Sequence, residues 1–224
     1  MMGRTGRAHC PKPYGPACVI ALFVLVFALL AGPPIACAAA EDEPRAAVET
    51  LHGALLDVMR EAGQMGFDGR RDRLRSVIEA GFDFEYISRL VLGPEWAKLD
   101  DGGRARMREA LAGLTLDTYA ARFDGYGGER FETRTSDASK RGRWLVRTRL
   151  FSPDEEDVTL DYLLHRAGGE WRIVNVIANG VSDLSIKRAE YTGIVKSEGF
   201  DHLIDAITRQ REEMVERARK ADRS

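Results

Sequence analysis

Cysteine is scarce: the 224-residue chain holds three, Cys10, Cys18 and Cys37, all before position 40. The rest of the chain has no disulfide framework to staple it and no thiol nucleophile. An excess of charge of either sign is missing too. With 33 Lys and Arg against 35 Asp and Glu, the net charge is −2, which excludes a general nucleic-acid binder, because phosphate affinity comes from clustered cations. Long apolar runs are absent apart from one stretch, so a polytopic membrane protein is excluded. What is present, 44% hydrophobic and 30% charged residues, is the composition of a single globular domain without disordered or collagen-like bias.

The one apolar stretch, Cys18 to Ala31, runs fourteen residues without a polar side chain. It follows a basic segment with Arg4, Arg7 and Lys12. After it come Gly32-Pro33-Pro34, the small residues from Ala36 to Ala40, and acidic Glu41-Asp42-Glu43. This order reads as a cleavable secretory signal over residues 1–40, with Ala38 and Ala40 as the small residues before the cut. The alternatives are an uncleaved anchor, although a spanning helix needs ~20 apolar residues, and acylation at Cys37. Cleavage removes all three cysteines and three cations, leaving 30 basic against 35 acidic residues, a net charge of −5. Such an exported chain must be held by its core alone.

From 44 to 126 the apolar residues recur at helical spacing. Pro44 suits a first helical turn, and Val48, Leu51, Leu55 and Met59 follow. Beyond a polar turn from Gly66 to Gly69, Leu74, Val77 and Ile78 mark a second helix, and Phe84, Ile87, Leu90 and Val91 a third, stopped by Gly93-Pro94. Asp100-Asp101 opens a longer helix with two apolar stripes: Met107, Leu111, Leu114, Thr118 and Ala121, and beside them Leu116, Tyr119 and Phe123. Such a helix is buried on more than one side. Gly113 inside it costs about 1 kcal/mol relative to alanine and signals a close approach, most simply by another helix.

From 129 to 178 the period changes to two. Trp144–Phe151, Val158–Leu164 and Trp171–Ile177 predict an antiparallel meander, with Phe131–Thr135 as a fourth strand. Alternation places Val158, Leu160, Tyr162 and Leu164 on one face of the middle strand, and Trp171, Ile173, Asn175 and Ile177 on one face of the next. Val174 and Val176 point the other way, so that strand is apolar on both faces and must be covered. Ser182 or Asp183 caps a helix through Leu184, Arg188, Tyr191 and Val195. Leu203, Ile204 and Ile207 follow on a last helix, within 183–207. Residues 208–224 read as a charged helical tail, exposed and frayed. The fold class is α+β: a curved antiparallel sheet of about four strands packed with amphipathic helices, a cone plus a helical subdomain that leaves a cavity.

Catalytic and metal signatures are missing. His52, His165 and His202 lie far apart with no HExxH, and no GxGxxG or GxxxxGK[ST] cradles a phosphate. Gly180-Val-Ser182 lacks the final glycine of a nucleophile elbow and reads as a helix cap. Asp83, between two phenylalanines, and Asp161, beside Tyr162, are candidate general bases only if buried in a cavity. Otherwise Asp83 caps the third helix and Asp161 faces water or Arg147. No cofactor or metal is expected.

Several of these residues carry a resemblance. Phe82-Asp-Phe84, Arg89-Leu-Val-Leu-Gly93-Pro-Glu-Trp96, Leu116-Asp-Thr-Tyr119-Ala and Tyr126 with Gly128 resemble the first half of the MlaC, or toluene-tolerance, family of exported lipid carriers. Asp161-Tyr162, Gly169-Glu-Trp171-Arg-Ile173, Val176, Gly180-Val-Ser182, Arg188, Tyr191, Gly199 and Leu203-Ile204 resemble its second half, over residues 45–207. The run from Gly180 to Tyr191 is closer to the hopanoid-associated branch, HpnM. Asn175 stands where the family often has an acid. The resemblance implies a periplasmic carrier domain over 41–207, a nuclear-transport-factor-like cone plus helical subdomain, that holds phospholipid or hopanoid and moves it between inner and outer membranes. Its partners would be an inner-membrane transport complex and an outer-membrane lipoprotein.

The expected lipid contacts are Leu111, Leu114, Tyr119 and Phe123 on the long helix and Val146, Leu160, Tyr162, Ile173 and Ile177 on the sheet. A carrier needs surplus apolar surface and no nucleophile, and nothing in the sequence demands more than a monomer. The rival readings are an exported enzyme using the same cavity and a ligand-free interaction module.

Overall fold

The computed structural model describes residues 36–154 and 156–223. The expected signal lies outside the described residues except for its last five positions, whose backbone is helical. In chain order the elements are α1 (Ala36–Arg60), α2 (Ala62–Gly81), α3 (Phe84–Leu92), α4 (Asp101–Arg122), β1 (Arg130–Ser139), β2 (Arg143–Phe151), β3 (Val158–Ala167), β4 (Glu170–Ala178), β5 (Val181–Ser182), α5 (Asp183–Glu198) and α6 (Phe200–Ala221).

Side-chain oxygens fix three helix starts by accepting N–H groups that the first turn leaves without a partner. Asp83 accepts from Tyr86 N at 2.8 Å before α3, Asp100 from Gly103 N at 2.7 Å before α4, and Ser182 from Ser185 N at 3.2 Å before α5. Pro44 departs from expectation: it lies inside α1, not in its first turn, because the preceding alanines are the strongest helix formers and carry the helix back to Ala36. The expected turn at 66–69 contracts to one residue. Gly66 takes φ 60°, which glycine adopts without a steric penalty, and the helix resumes at Phe67.

The sheet is an open antiparallel meander in the order β1-β2-β3-β4-β5. It has one strand more than expected, since β5 adds two residues against Ile177 and Ala178. Strand β1 is bulged between Thr133 and Thr135, and the β3–β4 pairing shifts between Leu163 and Leu164, leaving Val174 without a partner. Bulges bend a strand and raise its twist. The second one also breaks the alternation assumed from sequence. Tyr162 faces Val176 and Leu164 faces Ile173, so Ile173 and Val176 share the inner face, while Ile177 pairs with Asp161 on the outer one.

Helices α1 to α6 pack with the inner face of β2–β4 in one core, where Val48, Leu55, Ile78, Met107, Val146 and Ile173 are fully buried. Phe82, between α2 and α3, bridges Ile173 in parallel, and Asp83 N donates to Ile173 O at 3.0 Å, stitching the helical half to β4.

The charged tail is not frayed. Arg211 of α6 reaches Asp117 of α4 at 2.9 Å, Arg219 pairs with Asp68 at 2.7 Å, and Asp222 binds Arg70 at 3.1 Å and caps Phe67 N. Arg70 is 1% exposed and also donates to Ala120 O at 2.9 Å. A guanidinium that deep needs such partners, since burying an unpaired charge costs several kcal/mol. Gly113 is the close approach its position signalled: a Cβ there would overlap the Arg211 guanidinium.

Candidate functional site

Helix α4, the inner face of β3–β4 and the start of α5 enclose a cavity of about 300 Å³, at the low end of the ~300–1,000 Å³ usual for small-molecule sites. Alternation on the strands supplies Leu160 and Tyr162 from β3 and Val174, Val176 and Ala178 from β4. The side-chain stripe of α4 supplies Leu111, Thr115, Thr118, Tyr119 and Arg122, with Phe123 just beyond. Phe82 and Ile87 line it from the α2–α3 side, and Leu184 from α5. At the rim stand Val181 and Ile186, 55% and 53% exposed, with Arg122, Asp183 and Lys187 beside them.

Of the nine expected contacts, Leu111, Tyr119, Phe123, Leu160 and Tyr162 lie on this wall. The other four are elsewhere. Leu114 sits about 60° round α4 from Leu111 and is buried in the core, as is Val146. Ile173 is consumed by its contacts around Phe82, and Ile177 lies on the outer face. The bulge at Val174 explains the position of Ile177, since beyond it the wall goes to Val176 and Ala178 instead. Thr115, Thr118 and Arg122 were missed because an apolar filter passes over them, although they follow Leu111 by 4, 7 and 11 residues, one helical face.

Polar chemistry in the wall is confined. The Tyr162 hydroxyl meets His52 Nε2 at 3.0 Å, and the His52 ring stacks on Phe131 with centroids 3.9 Å apart. Burial pushes His52 down to about 4, with Glu49 opposing, so the imidazole is neutral at pH 7. Burial raises the Tyr162 and Tyr119 hydroxyls far above the ordinary phenol range. Lys187 pairs with Asp183 at the rim.

Neither candidate base faces the cavity. Asp83 caps α3 and bonds His165 Nε2 at 2.8 Å. Asp161 lies opposite Arg147 and Ile177, away from Leu160 and Tyr162, and burial raises its acid against the pull of Arg147. Among the described residues no group of three His, Cys, Asp or Glu could hold a metal ion, and no helix is long and apolar enough to cross a membrane.

Asn175 acts on the site from outside. Its Oδ1 accepts from Leu184 N at 3.1 Å and Ser182 Oγ at 3.2 Å, and its Nδ2 donates to Ser182 Oγ at 3.0 Å. It thereby pins the first turn of α5, which carries Leu184, Ile186 and Lys187 to the cavity.

The family model described as MlaC protein matches residues 49–209, a span that contains every element walling the cavity. The chain belongs to the MlaC family. Its fold also matches the solved structure of a phospholipid-binding protein from Ralstonia solanacearum in complex with a phospholipid. The TM-score is 0.68 at 15% identity, over 77% of this chain and 98% of that one. A comparison with curated protein sequences gave no match. The MlaC-family match and the likeness of fold agree with the open five-stranded sheet and its helices.

Proposed function

We propose that this MlaC-family protein is a non-catalytic carrier that holds the acyl chains of a phospholipid in the α4–sheet cavity. The observation that carries the reading is a mainly apolar hollow in which the Tyr162 hydroxyl is already bonded to His52 and the Thr118 hydroxyl to Leu114 O. Burying a methylene is worth about 0.8 kcal/mol, so a sixteen-carbon chain withdrawn from water contributes roughly 13 kcal/mol. No reactive group is needed for that. The phospholipid seen in the Ralstonia solanacearum neighbour supports a ligand of this class. Hopanoid is the alternative that the resemblance to HpnM raises.

The carrier would work in the periplasm after cleavage behind Ala40, and would move lipid between inner and outer membranes. The N-terminal basic, apolar and small-residue order supports export. Unaided release would expose the chains to water, so an inner-membrane complex and an outer-membrane lipoprotein would each have to offer an apolar path. Lipid extraction and native mass spectrometry of protein purified from its own periplasm test the reading. A bound phospholipid is expected. Leu160→Arg, which drives a charge into the wall, should abolish co-purification while the protein remains folded by circular dichroism. An empty wild-type protein would overturn it.

A further inference from the structure

The cavity face of α4 changes character along its length. Leu111 is apolar, Thr115 and Thr118 are intermediate, Tyr119 follows in the wall, and Arg122 ends the face at the rim, a rise of about 16 Å over eleven residues. Thr118 returns its hydroxyl to Leu114 O at 2.7 Å. The Tyr119 hydroxyl makes no hydrogen bond among the described residues, although its ring is fixed against Phe82 and Phe123. Arg122, one turn further and exposed, makes no ion pair among the described residues. Across the rim the Asp183 carboxylate is already matched by Lys187, so Arg122 carries the unneutralised charge. Asp183 and Arg122 both act on the Tyr119 hydroxyl, with opposite sign, and that hydroxyl acts in turn on Tyr162, so it stands within electrostatic reach of the rim charges and of the inner wall.

We propose that Tyr119 and Arg122 form a polar collar that binds the phosphodiester of a glycerophospholipid, and that this collar selects phospholipid over a hydrocarbon-skeleton lipid such as a hopanoid. This rests on the carrier reading. A phosphate oxygen accepts from both groups: the guanidinium gives a charge-assisted bond, the stronger kind, and the phenol a second. A sterol-like or hopanoid skeleton fills the same apolar volume but offers no anionic oxygen, so Arg122 stays paired with water only. The gain of that charge-assisted bond over water is what discriminates, because a pocket shaped for apolar bulk alone separates such ligands poorly.

The test is displacement of a bound fluorescent acyl probe from the full-length mature protein. The competitors are phosphatidylglycerol, diacylglycerol with the same chains, and glycerol phosphate. The readout is the ratio of phosphatidylglycerol to diacylglycerol affinity. Tyr119→Phe, which deletes one oxygen, and Arg122→Gln should each lower that ratio about tenfold, and Arg122→Lys should recover most of it by keeping the charge. Glycerol phosphate should displace nothing, which assigns the recognised phosphate to a lipid headgroup. A ratio unchanged in both variants, or equal weakening of both lipids, would overturn the collar while leaving the carrier intact. Displacement by glycerol phosphate alone would overturn the lipid source. Failure of both lipids to bind the wild type would overturn the carrier reading and the collar together.

Discussion

The hydroxyl of Tyr162 lies 3.0 Å from Nε2 of His52, joining the cavity wall on β3 to the buried face of α1 across 110 positions of sequence. The imidazole is buried and stacked on Phe131, so it is held neutral. Its acidity is shifted from 6.5 down to about 4, mainly by burial.

A pH dependence follows with a definite sign. Between about pH 6.5 and 4 the unfolded chain binds a proton at His52 that the folded chain refuses, so stability falls as the solution is acidified through that window. The full loss is about 3 kcal/mol. Urea unfolding at steps from pH 7.5 to 4 measures it. His52→Asn should be less stable at neutral pH but should show a shallower decline; an identical slope would remove His52 as the cause.

Gly113→Ala places a methyl where the Arg211 guanidinium lies. Alanine gains about 1 kcal/mol of helix propensity, but the displaced guanidinium leaves Asp117, 1% exposed, with Arg71 as its remaining cation. The loss of a buried charge partner outweighs the gain. Net destabilisation of about 1–2 kcal/mol in denaturant titrations is expected, and a more stable variant would refute the account.

Asp222→Ala removes both the ionic partner of Arg70 and the cap on Phe67 N. Arg70 retains the Ala120 and Ala62 carbonyls, so the cost is below that of a wholly orphaned buried charge, about 2 kcal/mol. Thermal unfolding should detect it, and amide exchange should rise at the start of the Phe67 segment and in the last turn of α6.

Asn175→Leu leaves the Leu184 N–H without its acceptor, a loss of about 1–2 kcal/mol. The effect should concentrate in residues 182–187, visible as faster amide exchange there, and should speed release of a bound acyl probe, because that turn closes one side of the cavity. Uniform loosening of the whole chain would contradict this local role.

Local rules made much of the fold legible. Asp83, Asp100 and Ser182 announced helix starts, and the change of period near Arg130 announced the sheet. The α4 half of the site was readable as far as Leu111, Tyr119 and Phe123. The β4 half was not, because a single extra residue at Val174 inverts the face on which its neighbours stand, and alternation carries no sign of a bulge. The tail misled for a different reason. Arg211, Arg219 and Asp222 find partners 94, 151 and 152 positions away, and a charged helix whose partners are that remote looks solvated when read along the chain.

Helix α4 has few idle sides. One flank walls the cavity, another receives the Arg211 guanidinium at Gly113, and Asp117 and Ala120 anchor the cations of α2. A saturation library of the chain should therefore find this segment the least permissive of the six helices among the described residues, with α5, where Tyr191 is the sole buried residue, absorbing variation far more freely. Divergence within the fold would then gather around the rim, leaving the spine largely untouched.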